Sequence, residues 1–347
     1  MNQNRRIESV NKLDYSYLLA IVLVLFSSFS IAQKPADFLP EKPGNWSFSS
    51  NLKLSGADGI AFNKNLWVVA EWFHQNIPML KSPKGFDLKA SAWGVWDDQY
   101  KRDNCNYGIR SEMNFDFQLF LSNGGKRVVE PPHYRFYINN TESGHGTNFY
   151  FPGWDSAQDS PLSEVSLGKI TTQLNGLFQV FPFVRDLAPG VRLFEDGKLI
   201  VFNPGRPPFW LSVTMRELAN LYLEYYRLKN KTEMDKQLLD QLKIEIAELT
   251  QDELNAPAYQ GHDSHFVLKA NGQKNGLQIM RFNSEYWDRS LPPSAIQFIT
   301  LYYPDVTPEE MAESLRNNGH PNYSYLLIKS LKPEELKLSI ITLPAKK

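Results

Sequence analysis

The residues best suited to chemistry in this sequence are gathered at Gly261-His262-Asp263-Ser264-His265. Two imidazoles three residues apart, with a carboxylate between them, supply nitrogen and oxygen donors fit for zinc or another divalent ion. His262, Asp263 and His265 are therefore candidate metal ligands, a further ligand having to come from His74, His133, His145, His320 or a distant carboxylate. Gly261 before them and Phe266-Val267-Leu268 after them point to the competing reading, a polar turn running into a strand. The metal reading implies a metal-assisted hydrolase; outside it, no cofactor is expected.

Other motifs of covalent chemistry are incomplete. The chain contains no G-x-S-x-G elbow, no P-loop and no G-x-G-x-x-G, since Gly144-His145-Gly146 meets Phe149 where the dinucleotide pattern needs glycine. Ser50-Asn51-Leu52-Lys53 and Ser166-Leu167-Gly168-Lys169 match S-x-x-K without the partner motifs that make it catalytic. Cys105 is the single cysteine, so no internal disulfide can form, and its neighbours Lys101 to Asn106 form a polar run without a cysteine-protease signature.

Aromatic rings next to acids offer a different chemistry. Trp93, Trp96, Asp97, Asp98 and Tyr100, and again Tyr150, Phe151, Trp154 and Asp155, combine flat apolar surfaces with hydroxyl acceptors, a mixture suited to sugar rings. Paired acids held about 5–9.5 Å apart would also suit glycosidic hydrolysis. The alternative is that these rings stock a sheet core. Arg206-Pro207-Pro208-Phe209-Trp210 reads either as a stiff loop presenting an interaction hot spot or as a strand end whose Trp210 staples the start of the following helix. The candidate ligand-binding residues are accordingly Trp93, Trp96, Trp154, Arg206 and Trp210.

The run from Arg206 to Tyr226, 21 of 347 residues, resembles a segment found in uncharacterised secreted or periplasmic bacterial proteins. The resemblance implies export and carries no activity. Export is also what the N-terminus suggests. Arg5, Arg6 and Lys12 precede the apolar stretch from Leu18 to Phe26, and Ser30-Ile31-Ala32 supplies small residues for cleavage. Residues 1–32 are read as a signal peptide, too short in apolar length for a spanning helix, leaving no membrane span in the mature chain and a secreted or periplasmic protein.

These candidates have to be positioned by elements legible in the patterning. Leu66, Val69, Ala70, Phe73 and Ile77 recur at helical spacing from Asn63 to a stop at Pro78. Met113, Phe115, Phe117, Leu119 and Leu121 alternate with polar residues as a half-buried strand, and Phe86 to Trp96 is expected to join it. Asn123-Gly124-Gly125 turns this strand back through Val128 and Val129 to Tyr134, Phe136 and Ile138. Further strands are expected over 177–183 and 191–202, the latter folded at Asp196-Gly197. Thr214-Met215-Arg216-Glu217 is a capping box, and the periodicity after it runs on past Lys229–Thr232 as an interrupted helix or helical hairpin. Strands over 266–270, 277–282, 295–303 and 323–330 complete the pattern, with a short helix starting at Thr307-Pro308-Glu309-Glu310.

Runs of strands between helices indicate an α+β protein of antiparallel sheets packed on helices. The order of helix then strands occurs twice, which suggests two helix-on-sheet lobes, residues 33–205 and 206–347, or else one continuous sheet. With 37 Lys and Arg against 38 Asp and Glu, the net charge of -1 argues against nucleic acid as a partner. The leading expectation is a non-catalytic binding protein for a protein or glycan partner. A secreted hydrolase and a structural component of an envelope assembly are the alternatives.

Overall fold

Strict alternation in β3 (Ser111–Phe120) sets up the larger of two sheets. Met113, Phe115, Phe117 and Leu119 are buried on one side, and Asn114, Asp116 and Gln118 alternate with them. The computed structural model describes residues 38–94, 107–140, 146–148, 169–170, 173–174, 176–229, 231–261, 276–337 and 341. Among these, β3 pairs with β2 (Phe86–Gly94) and with β5 (His133–Ile138). The full order is β1 (Trp46–Ser50), β2, β3, β5, β14 (Phe298–Tyr302), β10 (Lys198–Phe202), β9 (Val191–Phe194) and β8 (Phe183–Ala188), with β4 (Lys126–Arg127) added to β3. The smaller sheet runs β11 (Trp210–Ser212), β13 (Gly276–Phe282), β7 (Leu177–Val180) and β6 (Gly146–Asn148), with β12 (Tyr259–Gly261) also on β13.

Among the described residues every strand pairing is antiparallel except β1 with β2, whose connection passes through α1 (Gly56–Asn76) and α2 (Pro78–Lys81). This one parallel pair departs from the all-antiparallel expectation. It arises because a 21-residue helix between two strands returns the chain to the end at which it began. The helix starts at Gly56, earlier than Asn63, and ends where Pro78, lacking an N–H, opens α2. Phe62, Leu66, Val69, Ala70 and Phe73 lie on its buried face. They pack on Phe115 and Phe136, with the Phe73 ring centroid 4.9 Å from that of Phe136.

Residues 323–330 correct the strand expectation. They form a helix, α7 (Tyr323–Ser330), continued by α8 (Pro333–Leu336) on the same core. The alternation of Tyr323, Tyr325 and Leu327 resembled a strand, but Asn322 caps the first turn by accepting the Tyr325 N–H at 3.0 Å, and Tyr323, Leu327 and Ile328 make one buried helical face. The return through Val128 and Val129 is also different. Both are exposed in a loop between β4 and β5, where Pro131 and Pro132 offer no N–H to a ladder and Glu130 has φ 45°. The helix over 308–318, α6, starts at Thr307 as its sequence suggested, with a capping box there, and ends at Gly319 with φ 72°.

The smaller sheet carries its own helices. The Thr214–Glu217 box starts α3 (Met215–Lys229), which forms a helical hairpin with α4 (Glu233–Glu248), followed by α5 (Gln251–Asn255). Leu177, Val213, Ala258 and Ile279 of the sheet side meet Leu218, Tyr222 and Tyr226 of α3. A third cluster joins the two sheets. Phe209 stands at its middle, edge-on to Phe282, Tyr286 and Phe298 at 4.8–4.9 Å. The strand β14, from the C-terminal third, lies between β5 and β10 in the larger sheet. Buried Asn139, at φ 53°, fixes its start: Nδ2 donates to Ala295 O at 2.8 Å and Oδ1 accepts from Gln297 N at 2.8 Å. No helix among the described residues is long and apolar enough to cross a membrane.

Candidate functional site

A cleft of about 870 Å³ opens beside the smaller sheet. Its floor follows from register. Leu211 of β11 and Leu177 of β7 both pair with Arg281 of β13, so two leucines flank one guanidinium in a single cross-strand row. One wall is the first two turns of α3, which contribute Glu217, Asn220 and Leu221. Ile170 and Gln173 line another side, and Ser284 and Glu285 close the end beyond β13.

The polar centre of this cleft is built by the capping box. Glu217 Oε2 accepts the Thr214 N–H at 2.9 Å and the Thr214 hydroxyl at 3.1 Å, which aims Oε1 at the Arg281 guanidinium, its ion-pair partner. Burial raises the Glu217 pKa, but the Thr214 hydrogen bonds and the Arg281 charge together outweigh it and hold the carboxyl below its ordinary value. The group is therefore ionised at neutral pH, an acceptor and not an acid. Among the described residues Arg281 makes its side-chain hydrogen bond only to Glu217, through Nη2, which leaves Nε and Nη1 as donors. An apolar floor with a forked donor at its middle can seat a ligand that carries an apolar body and an acceptor group.

The residues singled out from the sequence fall in different places. Trp93 is on β2 in the larger sheet, 49% exposed, its indole Nε1 donating to Ser91 Oγ at 3.0 Å. Arg206 is turned to the backbone: Nε donates to Tyr286 O at 2.7 Å, and Nη2 donates to Glu285 O at 2.9 Å and Trp287 O at 2.6 Å. It thereby fixes the segment that ends the cleft. Trp210 does not staple the helix start. It sits in β11 and packs on Phe178 at 5.0 Å and Phe209 at 5.2 Å, within the aromatic layer between the sheets. Trp96, Cys105, Trp154, His262, Asp263 and His265 lie outside the described residues. Among the described residues no three His, Cys, Asp or Glu side chains are grouped to hold a metal ion.

Leu177, Leu211, Asn220 and Arg281 carried no signal of their own in the sequence. The closest was Arg281, a cation inside the apolar run Leu277 to Phe282, where a half-buried strand needs a partner for it. Compared with protein-family models, with curated proteins and with solved structures, the chain matches none.

Proposed function

We propose that this chain is an exported, non-catalytic binding protein whose ligand occupies the cleft between α3 and the smaller sheet. The observation that carries the reading is the cross-strand row Leu211–Arg281–Leu177 under a concave volume of about 870 Å³, within the range of small-molecule sites. The ligand class is a compact amphiphile: an apolar body against Leu177, Leu211 and Leu221, and a carboxylate, sulfonate or carbonyl oxygen on Arg281. Glu217 supports binding over turnover, because its charge is already neutralised by Arg281 and its second oxygen is engaged by Thr214. The basic and then apolar run of residues 5–26 supports export.

The test uses 1-anilinonaphthalene-8-sulfonate, an apolar double ring with one anionic group. The expected result is saturable fluorescence enhancement with one site per chain, at least tenfold weaker in Arg281→Met and absent in Leu221→Trp, which fills the cleft. A folded wild-type protein without saturable enhancement, or equal affinity in all three proteins, overturns the reading.

A further inference from the structure

The larger sheet has a second surface that the cleft does not use. On β2, β3 and β5 the residues opposite the helix-covered core form rows fixed by register. Lys89, Asp116 and His133 make one row, Ser91, Asn114 and Arg135 the next, and Trp93, Glu112 and Tyr137 the third. Neighbouring strands lie about 4.8 Å apart and successive rows about two residue rises of 3.3 Å apart, so the nine side chains form a regular grid. Lys89, Trp93, His133 and Arg135 are exposed, and Glu112, Asn114, Asp116 and Tyr137 are half-buried.

Charges of both signs are interspersed on this grid. Arg135 Nε lies 2.9 Å from Glu112 Oε1 and 3.4 Å from Asn114 Oδ1, Asn114 Nδ2 donates to Asp116 Oδ1 at 3.4 Å, and Asp116 has Lys89 and His133 on either side in its row. At the edge, Asp87 is paired with Lys126. With acids and bases interspersed, the face offers an ionic ligand of either sign like charges beside every opposite one, whereas an uncharged polyhydroxylated ligand can add hydrogen bonds without bringing a charge. Within the grid Trp93 presents a large exposed ring. The Nε1–Ser91 bond holds the Trp93 indole back along its strand over buried Ser91, with half the side chain in solvent. Pre-set ring orientation lowers the entropy lost on stacking.

We infer that this face of β2, β3 and β5 is a platform for an extended, uncharged polysaccharide, with a sugar ring stacked on Trp93 and its neighbours' hydroxyls bonded along the Asn114–Arg135 and Asp116 rows. The complementarity is of charge type and surface: balanced donors and acceptors beside one flat ring. The platform is independent of the cleft, and either can hold without the other.

Affinity electrophoresis of the full chain through native gels containing hydroxyethylcellulose or galactomannan tests it, with alginate and heparin gels as the charged comparison. Retardation is expected in at least one of the two neutral gels and not in the charged ones. Trp93→Ala should weaken retardation at least tenfold and Trp93→Phe should restore part of it. Asn114→Ala, on a different strand, should weaken it several-fold, which keeps the test decisive where one variant folds poorly. Arg281→Met should leave retardation unchanged, which separates this result from that of the cleft. Migration unaltered by both neutral gels, retention only by the charged gels, or Trp93→Ala behaving as wild type overturns the platform.

Discussion

The two halves of the larger sheet's outer face begin from the same backbone and end differently. On β9, β10 and β14 the outward positions include Phe194, Ile200 and Phe298, which are buried against Phe209, Phe282 and Trp287 from the chain that builds the smaller sheet. On β2, β3 and β5 the same alternation brings out Lys89, Asn114, Asp116 and Arg135, which are exposed or half-buried. The helix side shows no such division, being apolar from Leu88 on β2 to Val201 on β10. A second layer thus forms where alternate residues supply apolar area, at about 1.5–3 kcal/mol for each large side chain buried. Where they supply charged and amide side chains the sheet face keeps its contact with water.

The sharpest way to break this contrast is to empty its covered half. Phe209→Ala should lower stability by about 3–5 kcal/mol in urea unfolding, because it leaves Phe282, Tyr286 and Phe298 lining a void. Equal losses from Phe209→Ala and Asn114→Ala would mean that the two halves do not differ as described. Next in size is Arg206→Ala, expected to cost about 2–3 kcal/mol by leaving the carbonyls of Glu285, Tyr286 and Trp287 without this donor. Arg206→Lys should recover only part, since an ammonium lacks the planar fork that reaches all three.

The smallest effects are the most specific. Glu217 in the cleft and Asp116 on the platform are shifted in opposite directions. Burial raises the Asp116 pKa, and the charges of His133, Lys89 and Arg135 reduce that rise without cancelling it. Glu217, held below its ordinary value, adds stability above the unfolded-state pKa that is lost as pH falls through its lower folded value. Asp116, held above its ordinary value, has a folded-state ionisation cost that is absent below its unfolded pKa and complete above its folded one. At pH 7, then, Glu217→Gln should be less stable than wild type and Asp116→Asn more stable, each by no more than about 1 kcal/mol given their partial exposure. Both differences should fade on acidification. Melting temperatures across the carboxylate range check the two signs together.

Features written in short stretches of sequence were legible, and features made by register were not. The Thr214–Glu217 box, the Asp196-Gly197 turn and the alternation of β3 each need only neighbouring residues, and each is found where the sequence placed it. β1 escaped notice because Trp46-Ser-Phe-Ser-Ser is short and half polar. Residues 323–330 form a helix where a strand is expected because the Asn322 cap and the face made by Tyr323, Leu327 and Ile328 gain their weight only against the core. The polar sides of β3 and β5 could be read strand by strand, but that Asn114 faces Arg135 and Asp116 faces His133 is fixed by pairing alone. The cleft was less legible still, since Leu177, Leu211 and Arg281 belong to strands far apart in the chain and meet only when β13 is flanked on both sides.

The place of β14 has a consequence during synthesis. Before Phe298–Tyr302 is made, the larger sheet can exist only as two strips, one ending at β5 and the other at β10, with their outermost amides and carbonyls unpaired. At a translation speed of about 5–20 residues per second, the roughly 100 residues from Phe202 to Tyr302 keep both edges bare for about 5–20 s. Through that interval edge-to-edge pairing with another nascent copy competes with closure. A holdase that shields extended strands should therefore raise the yield of this chain more than a catalyst of proline isomerisation.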